Sequence, residues 1–377
     1  METTRQAPGN DTSVMARLYM ALELSSAKWK VAIGDARRAP SVHTLEAGNA
    51  VELLKVIEKA KKRCATSGPV RMLSCYEAGR DGFWLHRWLI AQGIDNVVVD
   101  SSSIEVKRRA RRAKTDRLDA AKLYEMLLRY AGGEKRVWSV VRVPTLEQED
   151  ARRLHRELER LKRERNAHVS RIASLAVLHN VRFKHVGGRG WDERLEHLQA
   201  QLPPAAAQEI ARESERLRLV KEQIGQVERS RKEQVQALLE RGGPLAALTR
   251  LRAIGVQSAW VLLHEIFGWR RFANRRELAG CVGLTPCPYD SGNTQREQGI
   301  SKAGNRRVRS LLVELAWYWL RYQPQSELST WFARRFGSGG KRLRRIGIVA
   351  LARRLLIALW RYVEHGVIPA GAQLKAQ

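Results

Sequence analysis

Four acidic residues, Glu23, Glu77, Asp116 and Asp119, stand where carboxylates can do chemistry: each marks the point where a short apolar run gives way to a turn or a helix. Asp116 and Asp119 lie three apart in Lys114-Thr115-Asp116-Arg117-Leu118-Asp119, so a helix puts both on one face. Phosphodiester cleavage with two metal ions needs several carboxylates converging on ions about 3.5–4 Å apart. Such acids come from different strands and helices and are therefore scattered in sequence. The expected pattern is one on a first strand, one at the end of a later strand and a pair on a helix. These four match it, and their hard oxygens suit a divalent cation. Each alone also reads as a surface acid, and Asp116 and Asp119 can simply pair with Arg112, Lys114, Arg117 or Lys122, the usual fate of a charge run. Placement favours the joint reading, because Glu23 and Glu77 each end an apolar strand, where charge is seldom found without a reason.

The elements that must position these acids alternate between strand and helix over residues 17–145. Strands are expected at 17–24, 29–33, 41–45, 69–76 and 96–99, and helices at 51–63, 82–92 and 116–130. Two adjoining strands followed by strand-helix units predict an α/β layer with a mixed sheet. Near Pro144 the character changes. Residues 146–181 are charged and helical, with Leu154, Leu158, Leu161 and Ile172 on one apolar stripe; a break follows at Gly187-Gly188-Arg189-Gly190. A second long helix is expected from 205 to 241, stopped by Gly242-Gly243-Pro244. The two can form an antiparallel coiled-coil hairpin, either without a chemical role or as a dimerisation arm. Residues 245–377 make a mainly α-helical third domain. There Leu251-Arg252-Ala253-Ile254-Gly255-Val256 matches half of a helix-hairpin-helix, with Gln257 where the second glycine belongs; a plain helical turn fits as well. A polar loop is expected over 290–304, then helices at 305–321, 326–336 and 342–365.

Composition names the partner class. With 68 Lys and Arg against 39 Asp and Glu, the net charge is +29, which points to a polyanion. Eleven Trp and a 44% hydrophobic fraction imply packed domains rather than a charge-only architectural protein. No apolar run reaches the roughly eighteen residues of a spanning helix, so no membrane role is expected. Residues 1–16 are polar, lack a signal-peptide core and are expected to be a disordered lead-in. The four cysteines form no CxxC pair, which argues against a zinc knuckle and fits a reducing cytoplasm.

The segments Tyr19-Met20-Ala21-Leu22-Glu23-Leu24-Ser25, Tyr76-Glu77-Ala78-Gly79 and Arg112-Ala113-Lys114-Thr115-Asp116-Arg117-Leu118-Asp119-Ala120 resemble the RuvC-like, RNase H-like domain of DEDD-type insertion-sequence transposases, the insertion-sequence family numbered 110. The block from Phe272 to Leu312 resembles that family's C-terminal transposase domain, with Leu278-Ala279-Gly280-Cys281-Val282-Gly283-Leu284-Thr285-Pro286, Ser291-Gly292 and Ile300-Ser301-Lys302-Ala303-Gly304-Asn305. The likeness spans roughly residues 17–320. It implies a RuvC-like catalytic domain at 17–145, a helical hairpin at 146–244 and a C-terminal transposase domain at 245–377.

The resemblance also implies unusual chemistry. Glu23, Glu77, Asp116 and Asp119 would bind Mg²⁺, and Ser291 would be the nucleophile that forms a phosphoserine link to DNA. A structured guide (bridge) RNA encoded by the element would pair with donor and target DNA. The family works as dimers that pair into a tetramer, with sites that combine both domain types from different subunits. The first ligand is normally Asp, and Glu23 is one methylene longer. Lys114, Arg117, Arg296, Lys302, Arg306, Arg307 and Arg309 would contact nucleic acid; a solvated basic face is their plain alternative. Ser301 rivals Ser291 in the same loop but reads better as a start-of-helix residue. A bacterial cytoplasmic, nucleoid-associated protein is the expected setting. Two other readings use the same residues: a stand-alone RuvC-like nuclease hydrolysing with water, and a decayed, non-catalytic nucleic-acid binder.

Overall fold

Alternation decides the first half of the chain. In the computed structural model, which describes residues 16–64, 70–79, 81–104, 116–291 and 294–375, the first strand β1 (Ala16–Leu24) turns Leu18, Met20 and Leu22 to one face and Tyr19, Ala21 and Glu23 to the other. The strands β2 (Lys28–Gly34) and β3 (Ser41–Glu46) follow antiparallel. The helix α1 (Ala50–Arg63) begins at Asn49, whose side chain accepts the Glu52 amide, and leads to β4 (Val70–Glu77), parallel to β1. After α2 (Trp84–Ala91) comes β5 (Asp95–Val99), parallel to β4. The sheet order is β3-β2-β1-β4-β5, so the two-stranded start and the strand-helix units merge into one mixed sheet, as expected from the pattern.

The two faces of that sheet differ in side-chain size. Leu18, Met20, Leu22, Trp29, Val31 and Ile33 pack with Leu53 and Ile57 of α1 and Leu85 and Leu89 of α2. The other face presents Ala21, Ala32 and Cys75, and these small residues receive the helix α3 (Asp116–Ala131) through Ala120, Leu123, Tyr124 and Leu127. Gly34 completes the close approach, because a Cβ there would come 2.9 Å from the Tyr124 hydroxyl. The described residues divide between Pro144 and Thr145 into two compact units.

The second unit is helical. A capping box between Thr145 and Gln148 starts the short α4 (Leu146–Asp150). The long helices α5 (Arg153–Val177) and α7 (Pro204–Glu240) pack side by side, with α6 (Trp191–Gln199) between them in sequence. Leu158 and Leu161 meet Val220 and Ile224, whereas Ile172 and Ala176 meet Ile210 and Leu217, so the pair is an antiparallel hairpin. Its base enters the main core, where Val235 and Leu154 pack with α8 (Pro244–Arg250) and α9 (Val256–Leu262). α9 runs on into one π-helical turn, Leu263–Phe267. Then come α10 (Arg275–Val282), the antiparallel strands β6 (Pro286–Ser291) and β7 (Thr294–Ile300), α11 (Arg306–Tyr322), α12 (Glu327–Phe336) and α13 (Lys341–His365). The segment read as a polar loop over 290–304 is therefore largely a β-hairpin, with Ser291 paired to Thr294.

Candidate active site

Register places the first two acids. Leu22 pairs with Tyr76 across the parallel strands β1 and β4, so Glu23 and Glu77, each one residue on, are next in line at the carboxyl edge. Both continue the Tyr19/Ala21 and Leu73/Cys75 rows, which face α3. Helix α3 runs back along this face. The Leu123 carbonyl lies 3.9 Å from Cys75 Sγ, and the Tyr124 hydroxyl accepts from the Ala36 amide (3.2 Å) beyond β2, near the start of β1. From Leu123 back to Asp119 is about one helical turn, 5.4 Å. From Cys75 on to Glu77 is two strand residues, about 6.6 Å. The two steps advance nearly equally, so the first turn of α3 arrives at the level of Glu23 and Glu77. Asp119 is half-buried there.

Glu23, Glu77 and Asp119 bring hard carboxylate oxygens, a donor type that suits Mg²⁺, to rigid elements at this edge, with Lys30 as the cross-strand partner of Glu23. Among the described residues, no three His, Cys, Asp or Glu side chains are grouped tightly enough to hold an ion together. Asp116 opens α3, but its side chain and that of Arg117 lie outside the described residues, as does Lys114 altogether. The expected lead-in is likewise outside them except for Ala16. One further acid escaped the sequence reading. Asp100 directly follows β5, whose last residue Val99 pairs with Glu77. Its signal was the same one, an apolar strand ending in an acid.

In the second unit Ser291 ends β6; its side chain and that of Arg296 lie outside the described residues. The hairpin is anchored where β7 leaves it. The Ser301 amide donates to the Thr285 carbonyl (2.9 Å), the Lys302 amide to Gly283 (3.1 Å) and the Asn305 amide to Cys281 (2.8 Å). Gly283 and Gly304 have positive φ, +69° and +85°, and a Cβ on either would run into backbone of the opposing segment. Ser301 does not start the next helix. Asn305 does, with its side-chain oxygen accepting the Val308 amide (3.2 Å). Lys302 and Arg306 are exposed. Arg309 donates to the Val282 carbonyl (2.8 Å), serving the open end of α10, and Arg307 pairs with Glu159 of α5.

Behind this anchor lies a group that sequence reasoning missed. Glu265, in the π-helical turn, is 1% exposed. Its Oε1 accepts from His155 Nε2 (2.8 Å) and Arg156 Nε (2.8 Å), and its Oε2 from Arg156 Nη2 (2.8 Å) and Asn305 Nδ2 (2.9 Å). Burial alone would raise its pKa, but His155 and Arg156 outweigh that and hold the carboxyl far below the usual range. Its neighbour His264 lies against Trp260, with ring centroids 4.1 Å apart and planes tilted by 57°, and burial, with His155 nearby, lowers its pKa to about 4. A lone Glu in the apolar run Trp260–Trp269 was the available signal. The segment 251–256, which fitted either half of a helix-hairpin-helix or a plain helical turn, is a turn covered by residues 373–375. The Arg252 amide donates to Gln373, and Lys375 Nζ donates to the Thr249 and Ile254 carbonyls.

Comparison with known proteins adds to this geometry. A family model described as "Transposase IS116/IS110/IS902 family" matches residues 245–329. The chain is 40% identical over 380 residues to the putative transposase y4rJ of Sinorhizobium fredii, covering 96% of this chain and 95% of that one. It is 26% identical over 266 residues to the transposase for insertion sequence element IS1111A of Coxiella burnetii, covering 68% and 66%. It is 27% identical over 148 residues to an uncharacterized 43.6 kDa protein of insertion element IS110 from Streptomyces coelicolor, covering 38% and 36%.

Proposed function

The chain belongs to the IS116/IS110/IS902 transposase family, and from that premise we propose that this DNA transposase cuts and rejoins strands with a RuvC-like Mg²⁺ site and a serine nucleophile. The observation that supports the metal half is the register Leu22–Tyr76, which leaves Glu23 and Glu77 next in line on adjacent strands, on the sheet face that packs against α3. Asp116 completes the set. Bound Mg²⁺ would supply charge for the developing phosphorane oxygens. The chain's own part is to fix the geometry: two strand ends and one helix terminus hold the carboxylates without reorganisation.

Ser291 supplies the covalent half. Its Oγ attacks phosphorus, one P–O bond forms as the bond to the leaving strand breaks, and the serine proton passes to the leaving oxygen. Bond count is conserved, so a second strand's hydroxyl can reverse the step and rejoin DNA. The short pairing of β6 with β7 and the anchoring of 301–305 favour Ser291 as a residue on a rigid support. Arg296, Lys302 and Arg306 would meet phosphate, while Arg307 and Arg309 brace the support. An element-encoded guide RNA would choose donor and target sites, and the α5–α7 hairpin, read as a coiled coil, would join subunits. Asp119→Asn tests the metal site: recombination on element DNA is lost while nucleic-acid binding stays within about twofold of wild type. Near-wild-type recombination by this variant would refute the carboxylate assignment.

A further inference from the structure

The far end of the α5–α7 hairpin contains a cavity of about 530 Å³ lined by Arg182, Phe183, Lys184, His185, Arg189 and Arg194, with Gly188. The loop that forms it is held in one shape. Trp191 is buried and donates its indole N–H to Ser214 Oγ of α7 (3.2 Å), and Phe183 meets it edge-on at 5.1 Å. Lys221 Nζ donates to the Gly187 carbonyl. Gly187 has φ +69°, and a Cβ there would lie 2.6 Å from Leu217 Cδ2, so the loop presses directly on α7.

Charge at this end is treated differently from charge along the stem. In the stem, buried Glu213 gathers Arg171 (2.5 Å), Arg216 (2.5 Å) and His168 (2.7 Å), and Glu228 pairs with Lys162 (2.9 Å). At the tip, Arg182, Lys184, Arg189 and Arg194 form no ion pair among the described residues. The acids of α6, Asp192, Glu193 and Glu196, do not line the cavity. Uncompensated cations around an aromatic ring match the two faces of a nucleotide: phosphate and base. The volume is that of a small-molecule site, larger than a phosphate ion needs.

We propose that this cavity takes one unstacked nucleotide of a single-stranded segment, its base against Phe183 and its flanking phosphates against Arg182, Lys184, Arg189 and Arg194. A paired duplex cannot enter, because its bases are held in the stack. The site is independent of the carboxylate and Ser291 assignments, which can fail without touching it.

The test uses the full chain and fluorescence anisotropy with three labelled probes: a 12-nucleotide single-stranded RNA, the same sequence as single-stranded DNA, and a 12-base-pair duplex. Phe183→Leu is expected to weaken single-strand binding by about 5- to 150-fold, the worth of one stacked base, and duplex binding by less than twofold. The exposed-cation variant Arg182→Gln/Lys184→Gln/Arg189→Gln leaves the apolar packing intact and stands as the test should Phe183→Leu unfold. It should flatten the single-strand plot of log affinity against log salt by about 2, three phosphates' worth. A preference for RNA or for DNA identifies the source of the strand, and equal binding upholds the site for both. Photocrosslinking of a thiouridine-bearing strand to wild-type protein should map to 182–194. Equal losses on duplex and single strand, an unchanged salt slope, or crosslinks only elsewhere would overturn the proposal.

Discussion

Glu265→Gln is the substitution whose cost can be worked most fully. The side chain keeps its shape and loses its charge. Each carboxylate oxygen now accepts from two donors: Oε1 from His155 and Arg156 Nε, Oε2 from Arg156 Nη2 and Asn305. In glutamine one of these positions becomes an NH₂, so either orientation sets a donor against two donors. His155 can tautomerise so that Nε2 accepts, which recovers one contact. At least one charge-assisted hydrogen bond is then lost, and Arg156 is left beside a buried site without its counter-charge. Because the Arg156 side chain is 43% exposed, solvent screens the charge left behind, and the loss is that of charge-assisted hydrogen bonds, about 1.5–3 kcal/mol. At about 2–4 °C per kcal/mol for a unit of this size, the melting temperature should fall by about 3–12 °C at pH 7. Thermal unfolding of the full chain, followed by tryptophan fluorescence, measures it. The difference should also depend on pH with a defined sign. A carboxyl held below its usual pKa of 4.5 stabilises fully above that value and loses its contribution as pH falls further. The gap between wild type and variant is therefore constant from pH 7 to 5 and narrows by about 1.4 kcal/mol per unit below 4.5. A variant melting within about 2 °C of wild type at pH 7 would refute the reasoning.

His264 gives a separate pH window: its pKa falls from 6.5 to about 4, so the fold favours the neutral ring. Stability should be full above pH 6.5 and drop by about 3 kcal/mol on acidification to pH 4, and His264→Leu should abolish that slope in urea titrations across the range. Ser291→Ala should bind DNA normally but form no covalent adduct on supercoiled element DNA, read by gel shift under denaturing conditions; an adduct mapped by mass spectrometry to Ser301 would reassign the nucleophile. Glu23→Asp should retain or raise recombination, because it shortens the side chain to the family's usual ligand; an inactive variant would mean that the site is built around the longer reach.

What the sequence disclosed follows from the range of the interactions involved. The five strands of the sheet and the helices α3, α5, α7 and α11–α13 were legible because apolar spacing is a local property, and so were Glu23 and Glu77 as strand-ending acids. That these two acids are neighbours was not legible, since it depends on the β1–β4 register, which no local signal states. The β6–β7 hairpin was read as loop because its strands are polar and carry two prolines. In the sequence, the Gly-Asn dipeptide at 292–293 was a hairpin signal that the polar composition obscured. Glu265 was hidden for a different reason: its partners come from α5 and from Asn305, at separations of 110 and 40 residues.

The base of the α5–α7 hairpin is clamped twice, by Glu265 on His155 and Arg156 and by Arg307 on Glu159. From Arg156 to Val177 the helix extends about 30 Å at 1.5 Å per residue. It is thus an arm rooted in both apolar packing and charge. A tilt of about 10° at the clamp would carry the tip through about 5 Å, close to one helical turn. Asn305 grips the same carboxylate, so the root of the arm and the segment that fastens the Ser291 hairpin meet at Glu265. One buried carboxylate is thus shared by the root of the arm and the fastening of the Ser291 hairpin, so a change at Glu265 reaches both.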